Sequence, residues 1–237
     1  MHIEHSEGTN LSLSCNGVWK IFQRGRRTVQ ALKDVTIAIR QGEFIALTGP
    51  SGSGKSTLLD LLGGLDLATS GQVSVFNVTL DTLSSEQRSR LRRHTIGFVF
   101  QDLRLIAHLT AIENVILPMI VQRLPLESIE QSARSLLSRF NLADRLDHFP
   151  YELSYGEQQR VAIVRSLITN PEIILADEPT ANLDDVNTTQ VLEIFHALLD
   201  KKKTVIVATH DPRVVSAAHR VIRLTSGAVR DGVTYDL

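Results

Sequence analysis

The segment "GPSGSGKST" at residues 49–57 restricts the possible folds more than any other part of the chain. It follows the apolar stretch "EFIALTG" (43–49) and opens a run with helical spacing, "KSTLLDLLGG" (55–64). A loop of the form G-x-x-x-x-G-K-[ST] between a strand and a helix is the phosphate-binding P-loop. Its glycines let successive backbone N–H groups face one concavity. The sequence therefore predicts an α/β fold that carries a nucleotide-phosphate site.

Within this loop, Lys55 is predicted to meet the outer phosphates of a nucleotide, and the Ser56 hydroxyl to bind Mg²⁺. The whole loop is predicted to contribute to nucleotide binding: Gly49, Pro50, Ser51, Gly52, Ser53, Gly54, Lys55, Ser56 and Thr57. The alternative is a glycine-rich turn that only precedes a helix. The full motif with a strand before it and a helix after it disfavours that alternative.

Two adjacent carboxylates end a second strand-like run. In "IILADEP" (173–179), Asp177 follows four apolar residues and Glu178 comes next. A Mg²⁺–nucleotide site needs a carboxylate at the end of a neighbouring strand, and Asp177 is predicted to hold the metal, directly or through water. Glu178 is predicted to point elsewhere and to accept a proton from the attacking water. The alternative, two solvated acids in a turn, is weak in a chain that already has a P-loop.

Two further polar residues follow predicted strands. His210 ends "TVIVATH" (204–210), and Gln101 ends "TIGFVFQ" (95–101). In open parallel sheets, ligands gather at the carboxyl ends of the strands. We therefore expect His210 to contact the γ-phosphate and the Gln101 amide to face Mg²⁺ or the attacking water. Alone, either residue would more often be structural.

The segment "LSYGEQQR" (153–160) has the pattern of a helix start. Ser154 and Glu157 form a capping box, and apolar residues at helical spacing follow. Gly156 lies inside the first turn, where unpaired N–H groups and the helix dipole favour an anion. The P-loop lies about a hundred residues upstream, so these residues alone do not say which anion this helix would meet.

The remaining pattern predicts the organisation of the chain. Strand-like runs near the N-terminus suggest a small antiparallel sheet, and later apolar runs with helices between them imply a parallel sheet covered on both faces. Residues from about 102 to 168 have a helical pattern, and the chain closes with a probable hairpin pattern at "RVIRLTSGAVRDG" (220–232). We expect one α/β domain over 17–237, with a helical lobe inserted at about 102–168. A loose tail is expected at 1–16.

Composition excludes several classes of protein. The net charge of −1 lacks the basic excess typical of nucleic-acid binding, so no nucleic-acid partner is expected. A single cysteine, Cys15, cannot form an internal disulfide and is predicted to be a free thiol in the tail. The start lacks the features of a signal peptide, and no apolar run is long enough to span a membrane.

Taken together, these motifs resemble those of ABC-type ATPases in order and spacing. The resemblance rests on the P-loop, Gln101, "LSYGEQQR", "ILADEP", "NLD" at 182–184 and His210. It covers nearly the whole chain beyond the tail. It implies the ABC ATPase fold, a P-loop core of mostly parallel strands with an antiparallel β subdomain and a helical lobe. It also implies that the protein hydrolyses ATP.

The resemblance further implies a head-to-tail dimer. In it, the helix that begins at "LSYGEQQR" (153–160), called the signature helix, caps the ATP held by the other subunit. The anion at that helix is then the partner's γ-phosphate. The residues implied to act across the interface are Ser154, Tyr155, Gly156, Glu157 and Asp184. Phe22 matches the family's aromatic that stacks on adenine, although a plain core role is the alternative.

Similarity in three further stretches indicates one branch of the ABC-type ATPases. "LLGGLD" (61–66), "TAIENVILPM" (110–119) and "LADEPTANLDD" (175–185) resemble the lipoprotein-releasing and macrolide-exporting branch, and a cell-division ATPase is similar in the same stretches. Two departures stand out. Tyr155 replaces the first glycine of the signature, and Ala181 replaces the glycine before "NLD".

Two functions follow as hypotheses. The first is a motor, a homodimer on the cytoplasmic face of the membrane that powers a separate permease. The helical lobe and "DLRLIAHLT" (102–110) would contact that permease by analogy with the family. The second is an ATP-driven switch that regulates cell-wall enzymes through a membrane partner. A soluble ATPase of DNA repair or translation is disfavoured, because the chain has no coiled-coil insertion and no basic excess.

Overall fold

The computed structural model describes residues 10–25, 27–120, 125–181 and 183–234. The strands of this part of the chain form two sheets. The first sheet is antiparallel, with its strands in the order β2, β1, β4 and β5. Its strands are β1 (Leu11–Arg24), β2 (Arg27–Arg40), β4 (Ser70–Val75) and β5 (Val78–Thr79).

The second sheet is mostly parallel and has the strand order β10, β9, β3, β8, β7 and β6. Its strands are β3 (Phe44–Thr48), β6 (Ile96–Val99), β7 (Ile173–Asp177), β8 (Thr204–Ala208), β9 (Arg220–Thr225) and β10 (Ala228–Thr234). Only the β9–β10 pair is antiparallel, as the predicted hairpin requires. Because the parallel strands run together, their carboxyl ends meet at one edge.

Helices cover both faces of this sheet. They are α1 (Lys55–Leu62), α2 (Ser85–Thr95), α3 (Ala111–Ile120), α4 (Leu126–Arg139), α5 (Tyr155–Leu167), α6 (Asp185–Leu199) and α7 (Pro212–Ala217). Alternate residues of β3 enter two different cores: Phe44 packs with the helices from α3 to α6, and Ile45 packs with α1 and the antiparallel sheet. Burial on both faces explains why these strands are apolar without alternation.

The helical lobe lies between β6 and β7 in the chain. Its helix α3 packs against both α4 and α5. Two short 3₁₀ turns, Ala143–Arg145 and Pro150–Glu152, connect α4 to α5. No helix in the described part of the chain is long and apolar enough to cross a membrane.

The predicted tail at 1–16 is wrong for its last residues, since β1 begins at Leu11 and pairs with both β2 and β4. Leu13 and Cys15 are 1% and 2% exposed. The stretch "LSLSC" alternates polar and apolar residues, which is the pattern of a half-buried strand. Burial raises the pKa of the Cys15 thiol to about 12, so the cysteine is an inert core residue. Residues 1–9 lie outside the described part.

Candidate functional site

The P-loop connects the end of β3 to the start of α1, and two of its glycines are required by close approaches. A Cβ on Gly49 would lie 2.1 Å from the carbonyl oxygen of Leu224, and one on Gly54 would lie 2.6 Å from that of Ala31. Gly54, at φ 105°, is the N-cap of α1 and supplies no side-chain hydrogen bond. The first N–H groups of α1 are therefore left open to an anion.

The lysine of the loop folds back across it. The Lys55 ammonium donates hydrogen bonds to the carbonyl oxygens of Gly49, at 2.8 Å, and Pro50, at 3.3 Å. This arrangement holds a positive charge over the same concavity that the N–H groups face. Two sources of positive potential thus converge where phosphate oxygens would bind.

A cleft of about 560 Å³ opens over the loop. Besides P-loop residues, it is lined by Gln101, Asp177, Glu178 and His210. These four residues come from three different strand ends, after β6, β7 and β8. The structure therefore brings together in one cleft the four polar side chains that were predicted from separate parts of the sequence.

Asp177 is the last residue of β7 and faces the start of α1. Burial raises its pKa and nearby Glu178 adds to the rise, while a hydrogen bond from the Ser56 hydroxyl and the charge of Lys55 oppose it. One carboxylate, one hydroxyl and the Gln101 amide in the same cleft form an oxygen-rich donor set. Such a set fits Mg²⁺, which prefers few protein ligands together with water and substrate phosphates.

Glu178 points in a different direction from Asp177. Its φ of 48° is left-handed, which turns the chain sharply just after β7. The Glu178 Oε1 atom lies 2.8 Å from Nδ1 of His210, and the two side chains are 11% and 79% exposed, respectively. Two neighbouring carboxylates thus have separate partners, Ser56 for one and His210 for the other.

The start of α5 is capped by its own side chains. The Ser154 Oγ atom accepts from the backbone N–H of Glu157 at 3.3 Å. In return, Oε2 of Glu157 accepts from the Ser154 N–H at 2.8 Å and from the Ser154 hydroxyl at 2.9 Å. Nε of Arg145 donates to the other carboxylate oxygen, Oε1, at 2.9 Å. Burial by itself raises the pKa of the Glu157 carboxyl. The hydrogen bonds from Ser154 and Arg145, with the charge of Arg145, outweigh burial and hold that pKa below its usual range.

Next to this helix start lies the N-terminus of α6. Asp184 is its N-cap and accepts from the backbone N–H of Asn187 at 2.8 Å. Arg160 of α5 donates to the side-chain oxygen of Asn187, and a Cβ on Gly156 would lie 3.5 Å from Leu183. The signature helix and Asp184 therefore form one continuous surface. None of the predicted in-trans residues lines the phosphate cleft: Ser154, Tyr155, Gly156, Glu157 and Asp184.

A family profile described as "ABC transporter" matches residues 32–181. The chain belongs to the ABC transporter family. An uncharacterized ABC transporter ATP-binding protein of Thermotoga maritima is 43% identical over 92% of this chain and 95% of its own. The lipoprotein-releasing system ATP-binding protein LolD of Legionella pneumophila (strain Lens) is 41% identical, over 93% of this chain and 97% of its own.

Two further comparisons extend this result. The macrolide export ATP-binding/permease protein MacB of Escherichia coli O157:H7 is 42% identical over 92% of this chain, which spans 34% of that longer protein. The dimeric structure of the ATP-binding cassette MJ0796 in a post-hydrolysis state, bound to ADP and Pi, superposes with a TM-score of 0.90. It is 40% identical, over 94% of this chain and 98% of its own.

As an ABC transporter subunit, the chain binds and hydrolyses ATP. The predicted family, fold class and ATPase activity are therefore confirmed. The MJ0796 cassette is dimeric in its structure, and MacB is an ATP-binding/permease protein. The individual residue roles stay predictions.

Two predicted ATP-binding residues of this ABC subunit lie away from the cleft. Phe22 is half-buried in β1, with the Lys20 ammonium 4.9 Å from its ring centroid, and it does not line the cleft. Ser53 is 2% exposed, and its hydroxyl is buried behind the loop without a hydrogen-bond partner in the described residues. The Ser53 side chain therefore supports the loop from behind, and only its backbone belongs to the P-loop curve.

The sequence reasoning missed three cleft residues from β2, which are Val29, Gln30 and Ala31. Val29 pairs with Phe22 across the β1–β2 ladder. The sequence signal that could have found Val29 is the β1–β2 hairpin. Its register places Val29 opposite Phe22, the aromatic predicted to stack on adenine. Arg145 was also missed, since it reaches Glu157 only through the turns between α4 and α5.

Proposed function

We propose that this chain powers a separate membrane permease that exports a substrate or extracts it from the membrane, with two copies of the chain working as a head-to-tail dimer. The observation that carries the proposal is the cleft in which the P-loop meets Asp177, Glu178, Gln101 and His210. The capped start of α5 lies outside that cleft and would serve the other copy.

Within one copy, each side chain of the cleft has a separate task. Lys55 and the open N–H groups of α1 bind the outer phosphates of ATP. Ser56, Asp177 and Gln101 would hold Mg²⁺, which offsets phosphate charge when bound. Glu178 accepts the proton of the attacking water, and His210, bonded to Glu178, contacts the γ-phosphate.

Between the copies, the first turn of α5 meets the γ-phosphate held by the partner's P-loop. Ser154 and the N–H groups of the turn are the donors, and Gly156 allows the close approach. Tyr155 and Glu157 belong to the same turn, and Asp184 lies beside it at the start of α6. Val29 lines the cleft and its ladder neighbour Phe22 lies outside it, so Phe22 would stack on an adenine that extends beyond the cleft past Val29.

The names of similar proteins favour a particular class of system. Relatives at 41% and 42% identity are a lipoprotein-releasing ATPase and a macrolide exporter. We therefore place the chain in that branch, on the cytoplasmic face of the membrane and bound to its permease. The cell-division switch is not favoured, because the similar proteins are named for release and export.

The decisive experiment uses Glu178→Gln. This variant is expected to bind ATP but to lose about 10²–10⁴-fold in turnover, because the proton acceptor is gone. Size-exclusion chromatography with Mg²⁺ and ATP should then show a trapped dimer. The added change Lys55→Ala should return the protein to a monomer, because it weakens nucleotide binding itself.

Two results of this experiment would contradict the proposal. One is a Glu178→Gln protein that stays monomeric at every ATP concentration. The other is a turnover loss smaller than about tenfold, which would assign the proton acceptor to a different group. Separately, the tagged chain purified from detergent-solubilised membranes of its own source should carry an integral membrane protein with it, and a chain recovered alone would count against the permease.

A further inference from the structure

We propose that Arg145 is a positioning residue of the signature helix, which neutralises Glu157 so that the partner's phosphate can approach Ser154. The inference rests on the proposed function, because it needs a phosphate at the start of α5. Arg145 lies outside the motifs by which the chain resembles its family. The basis of the inference is the hydrogen-bond arrangement around a single carboxylate.

The Glu157 carboxylate presents an electrostatic difficulty. Its Oε2 atom accepts from the Ser154 hydroxyl at 2.9 Å and from the Ser154 N–H at 2.8 Å. A phosphate oxygen that binds the same hydroxyl would therefore lie within two hydrogen-bond lengths of a negative charge, the two contacts meeting at the Ser154 Oγ atom. Like charges at such a separation repel strongly, above all in a closed interface from which water is excluded.

Arg145 is placed to offset this charge. It ends the 3₁₀ turn Ala143–Arg145, and its Nε donates to Oε1 of Glu157 at 2.9 Å. The Glu157 side chain is 19% exposed, so solvent screens the pair less than a surface ion pair. Among the described residues, Arg145 is the one cation that hydrogen-bonds to this carboxylate.

The two carboxylate oxygens divide their partners in a useful way. Oε1 belongs to Arg145, whereas Oε2 belongs to Ser154. The Ser154 hydroxyl can therefore turn to an incoming phosphate while Arg145 and the Ser154 N–H keep the carboxylate in place. Without Arg145, the carboxylate would lose its one direct cationic partner among the described residues, and the Ser154 N–H would hold it through Oε2 alone.

A second cation near Glu157 is engaged elsewhere. Arg160 lies one turn along α5, and its charge acts on both Glu157 and Asp184. Its guanidinium, however, donates to the side-chain oxygen of Asn187. Arg160 therefore ties α5 to α6, and the direct neutralisation of Glu157 is left to Arg145.

The test measures ATP-driven dimerisation in the Glu178→Gln background by size-exclusion chromatography over a range of ATP concentrations. Arg145→Ala should raise the ATP concentration for half-maximal dimer about fivefold to tenfold, as expected for a charge-assisted hydrogen bond. Arg145→Gln, which keeps donor groups but not the charge, should show a similar loss. Arg145→Lys should recover most of the affinity. Arg134→Ala removes an exposed arginine of α4 and should leave the titration unchanged.

The decisive comparison repeats the ATP titration with Arg145→Ala in a protein that also carries Glu157→Gln. The glutamine can keep the capping box but carries no charge, so there is nothing for Arg145 to neutralise. Arg145→Ala should then change the half-maximal ATP concentration by less than about twofold. An equal loss with Glu157 and with Gln would show that Arg145 only supports the fold, which overturns the inference.

The failure of the proposed function would look different. Gly156→Asp in the same Glu178→Gln background should abolish the dimer whatever residue occupies position 145. If Gly156→Asp dimerises normally, no phosphate binds at the start of α5 and the proposed role of the helix is wrong. If Gly156→Asp fails to dimerise but Arg145→Ala matches the parent, only the role of Arg145 is wrong.

Discussion

Helix α1 begins at a glycine that supplies no side-chain cap, whereas α5 begins at a serine in a complete capping box. The first turn of α1 contains no acidic residue, and the first turn of α5 contains Glu157. An anion at α1 therefore finds free N–H groups and the Lys55 ammonium. An anion at α5 has to compete with Glu157 for the Ser154 hydroxyl.

This difference indicates that two helix N-termini in one chain can differ in how strongly they would bind a phosphate. The open end of α1 would bind a phosphate without displacing a side-chain cap. The capped end of α5 would give up one bond for each bond it gains, so its net contribution would be smaller. A weaker contact would suit an interface that, in the proposed cycle, separates after each hydrolysis, and α5 is capped without any phosphate.

The largest expected effect tests whether α5 meets a phosphate at all. Gly156→Asp should lower steady-state ATP turnover, measured with the membrane partner, by about 100-fold, because a carboxylate would face a phosphate. The fold should tolerate the change, since a Cβ at Gly156 makes an ordinary 3.5 Å contact with Leu183. ATP binding to the isolated chain, measured by fluorescent-nucleotide titration, should be unaffected.

Gly156→Asn is the matched control, because it has nearly the same shape without the charge. It should retain more turnover than Gly156→Asp. If Gly156→Asp is as active as the parent, the comparison between the two helix starts fails, because only α1 would then bind a phosphate.

A smaller effect is expected on stability, at the α1 side of the comparison. Burial raises the pKa of Asp177, so its ionised form disfavours the folded, nucleotide-free protein. Asp177→Asn removes that charge and should raise the melting temperature at neutral pH by about 2 °C, a small rise because solvent partly screens the group. ATP turnover should fall in the same variant.

The raised pKa of Asp177 also makes the stability difference between the parent and Asp177→Asn depend on pH. A carboxyl with a raised pKa takes up its proton in the folded state first, so its penalty is present above the folded pKa and disappears as the pH falls below the unfolded value of about 4. The advantage of Asp177→Asn should therefore shrink in acid. A variant that melts below the parent at neutral pH would show that the hydrogen bond with Ser56 outweighs burial.

The smallest effect is expected at Tyr155. Its side chain is 40% exposed at the first position of α5, and its backbone N–H belongs to the turn whatever the side chain. Tyr155→Gly should keep turnover with the membrane partner within about threefold, apart from a slight loss of helix stability. A hundredfold rise would instead show that Tyr155 weakens this end, and the chain would fit the weak half of an asymmetric pair. Tyr155→Phe serves as the control for the hydroxyl.

The parts of the site predicted from sequence are those encoded by local pattern. The P-loop, Asp177 and His210 each follow an apolar run, and parallel strands bring such ends to one edge. The residues of β2 could not be predicted in the same way. Their contact with the loop depends on the β1–β2 register, which contains several irregularities. The partnership of Arg145 with Glu157 depends on two 3₁₀ turns that have no strong sequence signal.

The first strand shows a different limit. Leu13 and Cys15 alternate with polar residues and are buried, yet the neighbouring polar residues made the segment look like a tail. The alternation was visible, but only the pairing of β1 with both β2 and β4 explains why so polar a stretch is ordered. The order of this segment therefore depends on strands distant in the chain, which its local composition does not reveal.

The hydrogen bond between Glu178 and His210 also determines where a proton resides. When Glu178 is ionised, its oxygen can only accept, so the hydrogen of the 2.8 Å contact is then on Nδ1 of the ring. In a neutral imidazole, Nε2 then offers only a lone pair, which a phosphate oxygen would repel. This bond leaves only Nε2 of the ring to face an incoming phosphate, and it ties the orientation of His210 to that of the proposed proton acceptor.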